Sequence, residues 1–227
     1  ILATVPLGRL RPNQALWTLS ALWAGWLWGR EAATPFKSVL HRQRYDWNWH
    51  AVAIHSALKN MADHLPLNTP FFAIVPEPES AFLSAAMLAV AGSGFELAGI
   101  ALRTRHDPVQ ILWQKRAFSH VDKESSPIDA EEVSQAMISF LQERGEQVHF
   151  LHLQAAGLAA MVENQNLHWQ DDRLAKVNTA ILNSLGGPQF VHHSESKNPE
   201  TGLWGLSEWN AERESLPDRV EIFIVRY

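Results

Sequence analysis

The 227-residue chain contains no cysteine. That excludes a disulfide framework, a thiolate zinc site, an iron–sulfur cluster and a cysteine nucleophile. It fits a reducing compartment, so the expectation is a cytoplasmic protein. Tyrosine is nearly missing too, at two residues against ten tryptophans. There is no G-x-G-x-x-G, no P-loop and no H-E-x-x-H. The dinucleotide cradle, the phosphate loop and the zincin helix are therefore absent as motifs. No apolar run reaches the roughly 20 residues needed to cross a bilayer. The longest, residues 15–29, is interrupted by Thr18 and Ser20 and ends at Arg30-Glu31. It lacks the basic leader and small-residue cleavage site of a signal peptide. It reads as a buried helix, and no membrane partner is expected.

Acid is scarce where the chain begins. Residues 1–50 hold six Lys/Arg against two Asp/Glu, residues 51–121 five of each, and residues 122–227 eight against seventeen. The formal charge of −5 thus hides a basic start and an acidic end. A polyanion such as DNA would favour the N-terminal third, and the acidic last third suits a protein partner or a basic surface. The apolar share of 46% is that of a globular protein.

Along the chain, residues 1–5 are short, apolar and β-prone, stopped by Pro6, and read as a central strand entered midway. The expectation is a piece of a longer polypeptide. Asn13 can cap a helix that is apolar on nearly every side, with Gly29 after it. Residues 30–45 are irregular and basic. A helix follows from Asp46 to about residue 64, with Ala51, Ile54, Leu58, Met61 and Leu65 on one face. Residues 71–75 read as a fully buried parallel strand. Residues 80–91 read as a helix stopped at Gly92 or Gly94, and 95–103 with 109–114 as an antiparallel hairpin. This is the second half of an open α/β sheet. Residues 129–144, 151–163 and 171–185 then read as three helices. Two short strands, 190–194 and 202–206, flank a polar tip, which is the outline of a winged helix. Residues 220–226 suit a strand or a helix. The expected division is 1–118 for the α/β part, 119–127 for a linker and 128–227 for the winged-helix-like part.

Candidate chemistry concentrates near the start. Arg9, Arg11, Lys37, Arg42 and Arg44 can neutralise phosphates, and Tyr45, Trp47 and Trp49 can stack on unpaired bases. The competing reading is a solvated basic loop beside core tryptophans. Pro76-Glu77-Pro78-Glu79 lies at the carboxyl end of a buried strand, where α/β ligands sit. The stronger reading is a rigid loop placing Glu79 at a helix N-terminus. His192-His193 on a strand face opposite ways, so no metal is expected there. In the third helix of the second part, Arg173, Lys176, Asn178 and Asn183 are the candidate DNA contacts, against an ordinary solvated helix.

Leu2-Ala3-Thr4-Val5-Pro6, Arg11-Pro12-Asn13-Gln14-Ala15-Leu16-Trp17, the tryptophan-rich helix and Arg42-Gln43-Arg44-Tyr45-Asp46-Trp47 together resemble the back half of amino-group DNA methyltransferases of the adenine-specific type. The resemblance covers about residues 1–116 and rests on element order and texture. It implies a Rossmann-like methyltransferase sheet, S-adenosylmethionine as cofactor, DNA as partner, and a loop after a central strand that holds the exocyclic amine of a flipped base. That loop falls at Thr4-Val5-Pro6-Leu7. Pro6 keeps the family's proline, Thr4 stands where the family has an acid or amide, and Leu7 replaces its aromatic ring. Thr4, Pro6 and Asn13 are thus the candidate catalytic residues. Arg9, Arg11, Lys37, Arg42, Arg44 and Tyr45 are the candidate DNA contacts. The glycine-rich strand–turn for the cofactor is absent. A second reading makes the chain a non-catalytic scaffold derived from a methyltransferase, whose acidic winged-helix part binds a protein.

Overall fold

The computed structural model describes residues 3–6, 14–34, 47–75, 79–103, 107–116, 128–163 and 172–209, with 220, 223 and 224 near the end. Among them the protein is a mixed α/β structure of two small sheets and six helices. The first sheet contains β1 (Ala3–Pro6), β2 (Pro70–Val75), β3 (Phe95–Ala101) and β4 (Val109–Lys115). Its order is β1-β2-β4-β3. β1 and β2 are parallel, with Thr4 opposite Phe72 and Pro6 opposite Ile74. β4 runs antiparallel to both β2 and β3, so the hairpin folds back and seats its second strand beside β2. β2 was expected to be buried on both sides among parallel strands. Instead it has one parallel and one antiparallel neighbour, and its side chains alternate: Phe71, Ala73 and Val75 are buried, Pro70 is exposed, and Phe72 and Ile74 are half-buried. Val109, Ile111 and Trp113 continue that buried face, while Gln110, Leu112 and Gln114 face outward. Alternation of this kind is what a sheet with one covered face requires.

The helices of this part are α1 (Gln14–Trp28), α2 (Trp47–Ala62) and α3 (Ser80–Ala91), with a 3-10 turn at Arg30–Ala33. α2 buries Ala51, Ile54 and Leu58, the stripe its spacing predicts. α3 has no charged residue, and Phe82 through Val90 are all buried. It ends as expected at the Gly92-Ser93-Gly94 turn, where Gly94 takes a φ of 84°. The Ser93 hydroxyl donates to the Ala89 carbonyl at 2.7 Å, closing the last turn.

Three helices and a small sheet follow: α4 (Ala130–Arg144), α5 (Phe150–Glu163), α6 (Arg173–Leu185), and β5 (Val148–His149), β6 (Phe190–His193) and β7 (Leu203–Leu206) in the order β5-β7-β6. Asp129 caps α4 by accepting the Glu131 amide at 2.9 Å. Gly145 ends it with a φ of 68°, a conformation that costs a side chain about 1 kcal/mol or more. Val133, Met137 and Leu141 face inward between those ends. Gly157 lets α5 lie close to α4 and α6, since a Cβ there would sit 3.2 Å from Val133 Cγ1 and 3.7 Å from Ile181 Cγ1. β5 was not foreseen, because two residues carry no readable alternation. It pairs antiparallel with β7, which makes the small sheet three-stranded.

One continuous core joins α2 to α6 and the strands β2 to β7. Ile54 of α2, Phe71 of β2, Leu83 and Leu88 of α3, Met137 of α4, Leu158 of α5 and Ile181 of α6 belong to a single buried cluster. α3 packs against α2 on one side and α5 and α6 on the other. The boundary expected at 119–127 lies outside the described residues.

α1 departs from expectation. It was read as a buried helix holding core tryptophans. Trp23 is 57% exposed, Trp26 80% and Trp28 75%, and Leu19, Leu22 and Leu27 are more than half exposed. Ala24 is its buried residue among the described side chains. Periodicity shows what a helix would gain from burial, not whether a partner element exists; among the described residues the main neighbour of α1 is the 3-10 turn at its own end. Trp47, by contrast, stacks on Phe82 with ring centroids 5.3 Å apart, so this indole is structural.

Candidate functional site

Parallel pairing puts the carboxyl ends of β1 and β2 on one edge of the main sheet, at Pro6 and Val75. The antiparallel hairpin brings two more ends to the same edge, because Val109 opposes Val75 and Ala101 opposes Gln110. α3 begins after a four-residue connection from β2, so its N-terminus, with its positive dipole end, lies at this edge too. Open α/β sheets place ligands at such an edge.

The second part of the chain supplies the cover. Gln154 of α5 is 1% exposed, and its Nε2 donates at 2.8 Å to both the Ser80 carbonyl and the Ser84 hydroxyl in the first turn of α3. The Ser80 hydroxyl donates to the Glu200 carboxylate at the tip of the β6–β7 hairpin. His152, also on α5 and buried, bonds through Nε2 to the Arg103 carbonyl at 3.3 Å, just past β3. Burial holds its imidazole below the ordinary histidine value, opposed by that carbonyl. His149 stands beside it with ring centroids 6.5 Å apart, and its Nδ1 lies 3.1 Å from the Gly202 carbonyl of the hairpin. Glu79 occupies the N-cap position of α3 without capping it through its side chain.

Thr4 and Pro6 lie on β1, with Pro6 at the edge itself. Asn13, Arg9, Arg11, Lys37, Arg42, Arg44 and Tyr45 lie outside the described residues, as does the 76–78 stretch of the Pro-Glu-Pro-Glu loop. Sequence reasoning missed Ser80, His152, Gln154 and Glu200. The signal for two of them was legible: His152 and Gln154 are polar residues set into the otherwise apolar helix Phe150–Glu163. The bond between Ser80 and Glu200 spans 120 positions and leaves no trace in local pattern.

Among the described residues, most cations are engaged within the protein. Arg116 pairs with Glu96 at 2.7 Å, Arg144 with Glu146 at 2.8 Å, and Lys176 with Asp172 at 2.6 Å. Lys115 lies 5.7 Å from the centre of the Phe95 ring and is buried, as is Arg173. Of the four candidate contacts on α6, Arg173 is thus buried and Lys176 is paired to Asp172. His192 stacks on Trp204 at 4.4 Å. No group of three His, Asp or Glu side chains suited to a metal ion occurs among the described residues, and no helix there is long and apolar enough to cross a membrane.

No family model, no curated protein and no solved structure matches this chain. The edge itself therefore carries the functional argument. Among the described residues nothing forms a cradle for S-adenosylmethionine. The sequence has no glycine-rich strand–turn–helix, and the Gly92-Ser93-Gly94 turn lies at the amino end of β3, the opposite edge from the candidate site.

Proposed function

We propose that this chain is the carboxyl-side half of an S-adenosylmethionine-dependent DNA amino-methyltransferase-like protein, a partial Rossmann-like sheet joined to a winged-helix-like part. The observation that carries this reading is the sheet: a parallel pair, then a helix, then an antiparallel hairpin closing the order β1-β2-β4-β3. This is the element order that the resemblance implies. The succession α4, β5, α5, α6, β6, β7 with a three-stranded antiparallel sheet supports the winged-helix outline. In this reading Thr4, Pro6 and Asn13 border a flipped base at the carboxyl edge, and a proline carbonyl accepts from its exocyclic amine. Arg9, Arg11, Lys37, Arg42, Arg44 and Tyr45 hold the DNA backbone. These residues position the base and its amine. The methyl donor is held elsewhere, because its cradle is not among them.

Calorimetric titration of the chain with S-adenosylmethionine, alone and with short DNA, tests this. The expected result is no heat with the cofactor alone, and DNA binding that weakens steeply with salt. Cofactor binding by the chain alone would contradict the absent cradle. Failure to bind DNA at low salt would remove the DNA contact.

The second reading, a non-catalytic scaffold whose acidic part binds a protein, gains from α6. With Arg173 buried and Lys176 paired to Asp172, that helix offers little to a phosphate backbone. DNA binding by a variant with Arg42→Gln and Arg44→Gln separates the two readings. The first expects most of the affinity to be lost.

A further inference from the structure

The first turn of α3 is held from two sides by bonds of different character. The Gln154 bonds to the Ser80 carbonyl and the Ser84 hydroxyl are buried, with both donor–acceptor distances at 2.8 Å. The Ser80–Glu200 bond is exposed to solvent. A buried amide bond of this kind is lost only with the packing around it, whereas a solvent-exposed bond to a carboxylate can open and reform.

The hairpin tip that carries Glu200 keeps its own shape. Asn198 Oδ1 accepts the Glu200 amide at 3.0 Å, and the Asn198 carbonyl accepts the Thr201 hydroxyl at 2.8 Å. The Trp204 indole donates to the Pro199 carbonyl at 2.8 Å, and His192 stacks on Trp204 beneath. None of these bonds involves α3. The tip is thus pre-formed, and Glu200 is its reach to the main sheet.

We propose that the β6–β7 hairpin tip is a strap over the start of α3, latched by Glu200 on Ser80 and released without unfolding of either part. Gln154 is the fixed anchor of that helix end and Glu200 the movable one. Release uncovers the start of α3, which lies at the carboxyl edge of β2. That the uncovered end receives DNA rests on the methyltransferase reading; the strap itself does not.

Hydrogen exchange followed by mass spectrometry on the full chain tests the strap. Glu200→Ala and Ser80→Ala are each expected to raise exchange severalfold at the start of α3, in 79–84, the double variant no further, and α4 to stay as in the wild type. Glu200→Gln falls between, since its amide oxygen still accepts the hydroxyl without the charge. Wild-type exchange in 79–84 for both alanine variants would overturn the proposal, as would a uniform rise that includes α4. A second arm measures short-DNA affinity at fixed salt for Glu200→Ala and for Glu195→Ala, an exposed carboxylate on the same loop. Tighter binding by Glu200→Ala than by Glu195→Ala supports both the strap and the DNA reading. Faster exchange with equal DNA affinity supports the strap and counts against the DNA reading.

Discussion

α1 and α3 have the same texture and opposite surroundings. Neither contains a charged residue, and both are rich in large apolar side chains. In α3 every residue from Phe82 to Val90 is buried, between α2 on one side and α5 and α6 on the other. In α1 three tryptophans and three leucines stand more than half exposed. An all-apolar helix declares a demand for burial, and long-range topology decides whether the demand is met. For α3 the cover comes from residues some 70 positions later, as the Gln154–Ser84 bond shows. Each fully buried Leu or Phe contributes roughly 1.5–3 kcal/mol, so α3 is a principal source of stability while α1 adds little within this chain.

The same charge placed in each helix should separate them most strongly. Leu88 of α3 is fully buried, and Leu22 of α1 is 54% exposed. A lone carboxylate at position 88 costs several kcal/mol, against a total stability of about 5–15 kcal/mol. Leu88→Asp is expected to abolish the cooperative thermal transition. Leu22→Asp is expected to leave it within about 0.5 kcal/mol of the wild type. Circular dichroism melts of the two variants give the answer. A Leu22→Asp protein that also fails to fold would show that α1 is buried in solution.

Much of the fold was legible for reasons these residues make plain. Asp129 and Gly145 bracket α4 with a cap and a left-handed stop, and Val133, Met137 and Leu141 recur at a spacing of four, so local chemistry sufficed there. The β3–β4 hairpin was legible from two β-prone runs around a turn. β5 was not, because it exists only through its pairing with β7. Nor was the exposure of α1, because periodicity reports a helix's own face and not its neighbours. The candidate edge was legible in part: Pro6 and Glu79 mark strand and helix ends in the sequence. The residues that cover the edge, Gln154 and Glu200, arrive from a distant stretch whose charge suggested a separate role.

A gentler contrast uses glycine. A Cβ on Gly157 would meet Val133 Cγ1 at 3.2 Å, whereas at Gly25 of α1 the nearest atom is Ala33 Cβ at 4.0 Å. Gly157→Val should force α5 away from α4 and cost about 1–3 kcal/mol. Gly25→Val should stay within about 0.5 kcal/mol of the wild type. Denaturant midpoints at constant slope measure both. A neutral Gly157→Val would mean that the three-helix contact beside α3 is looser than its geometry.

The smallest effect lies in pH, and it belongs to the α3 side alone. His55 of α2 lies with Nδ1 3.1 Å from the Ser93 hydroxyl and 3.5 Å from the Ala89 carbonyl, at the far end of α3. Burial holds its imidazole below the ordinary value, the Ala89 carbonyl opposes this, and Lys59 adds to it. His152 is depressed by burial in the same way beside the near end. On unfolding both return to the ordinary value of about 6.5, so the unfolded chain binds more protons in this range. The stability they contribute is complete above that value and is lost as pH falls below it. The denaturant midpoint should therefore drop between pH 7.5 and 5.5, and a His55→Gln, His152→Gln protein should drop less. A double variant whose midpoint falls as steeply as that of the wild type would place the titrating groups elsewhere, and the seal at the two ends of α3 would then be apolar packing alone.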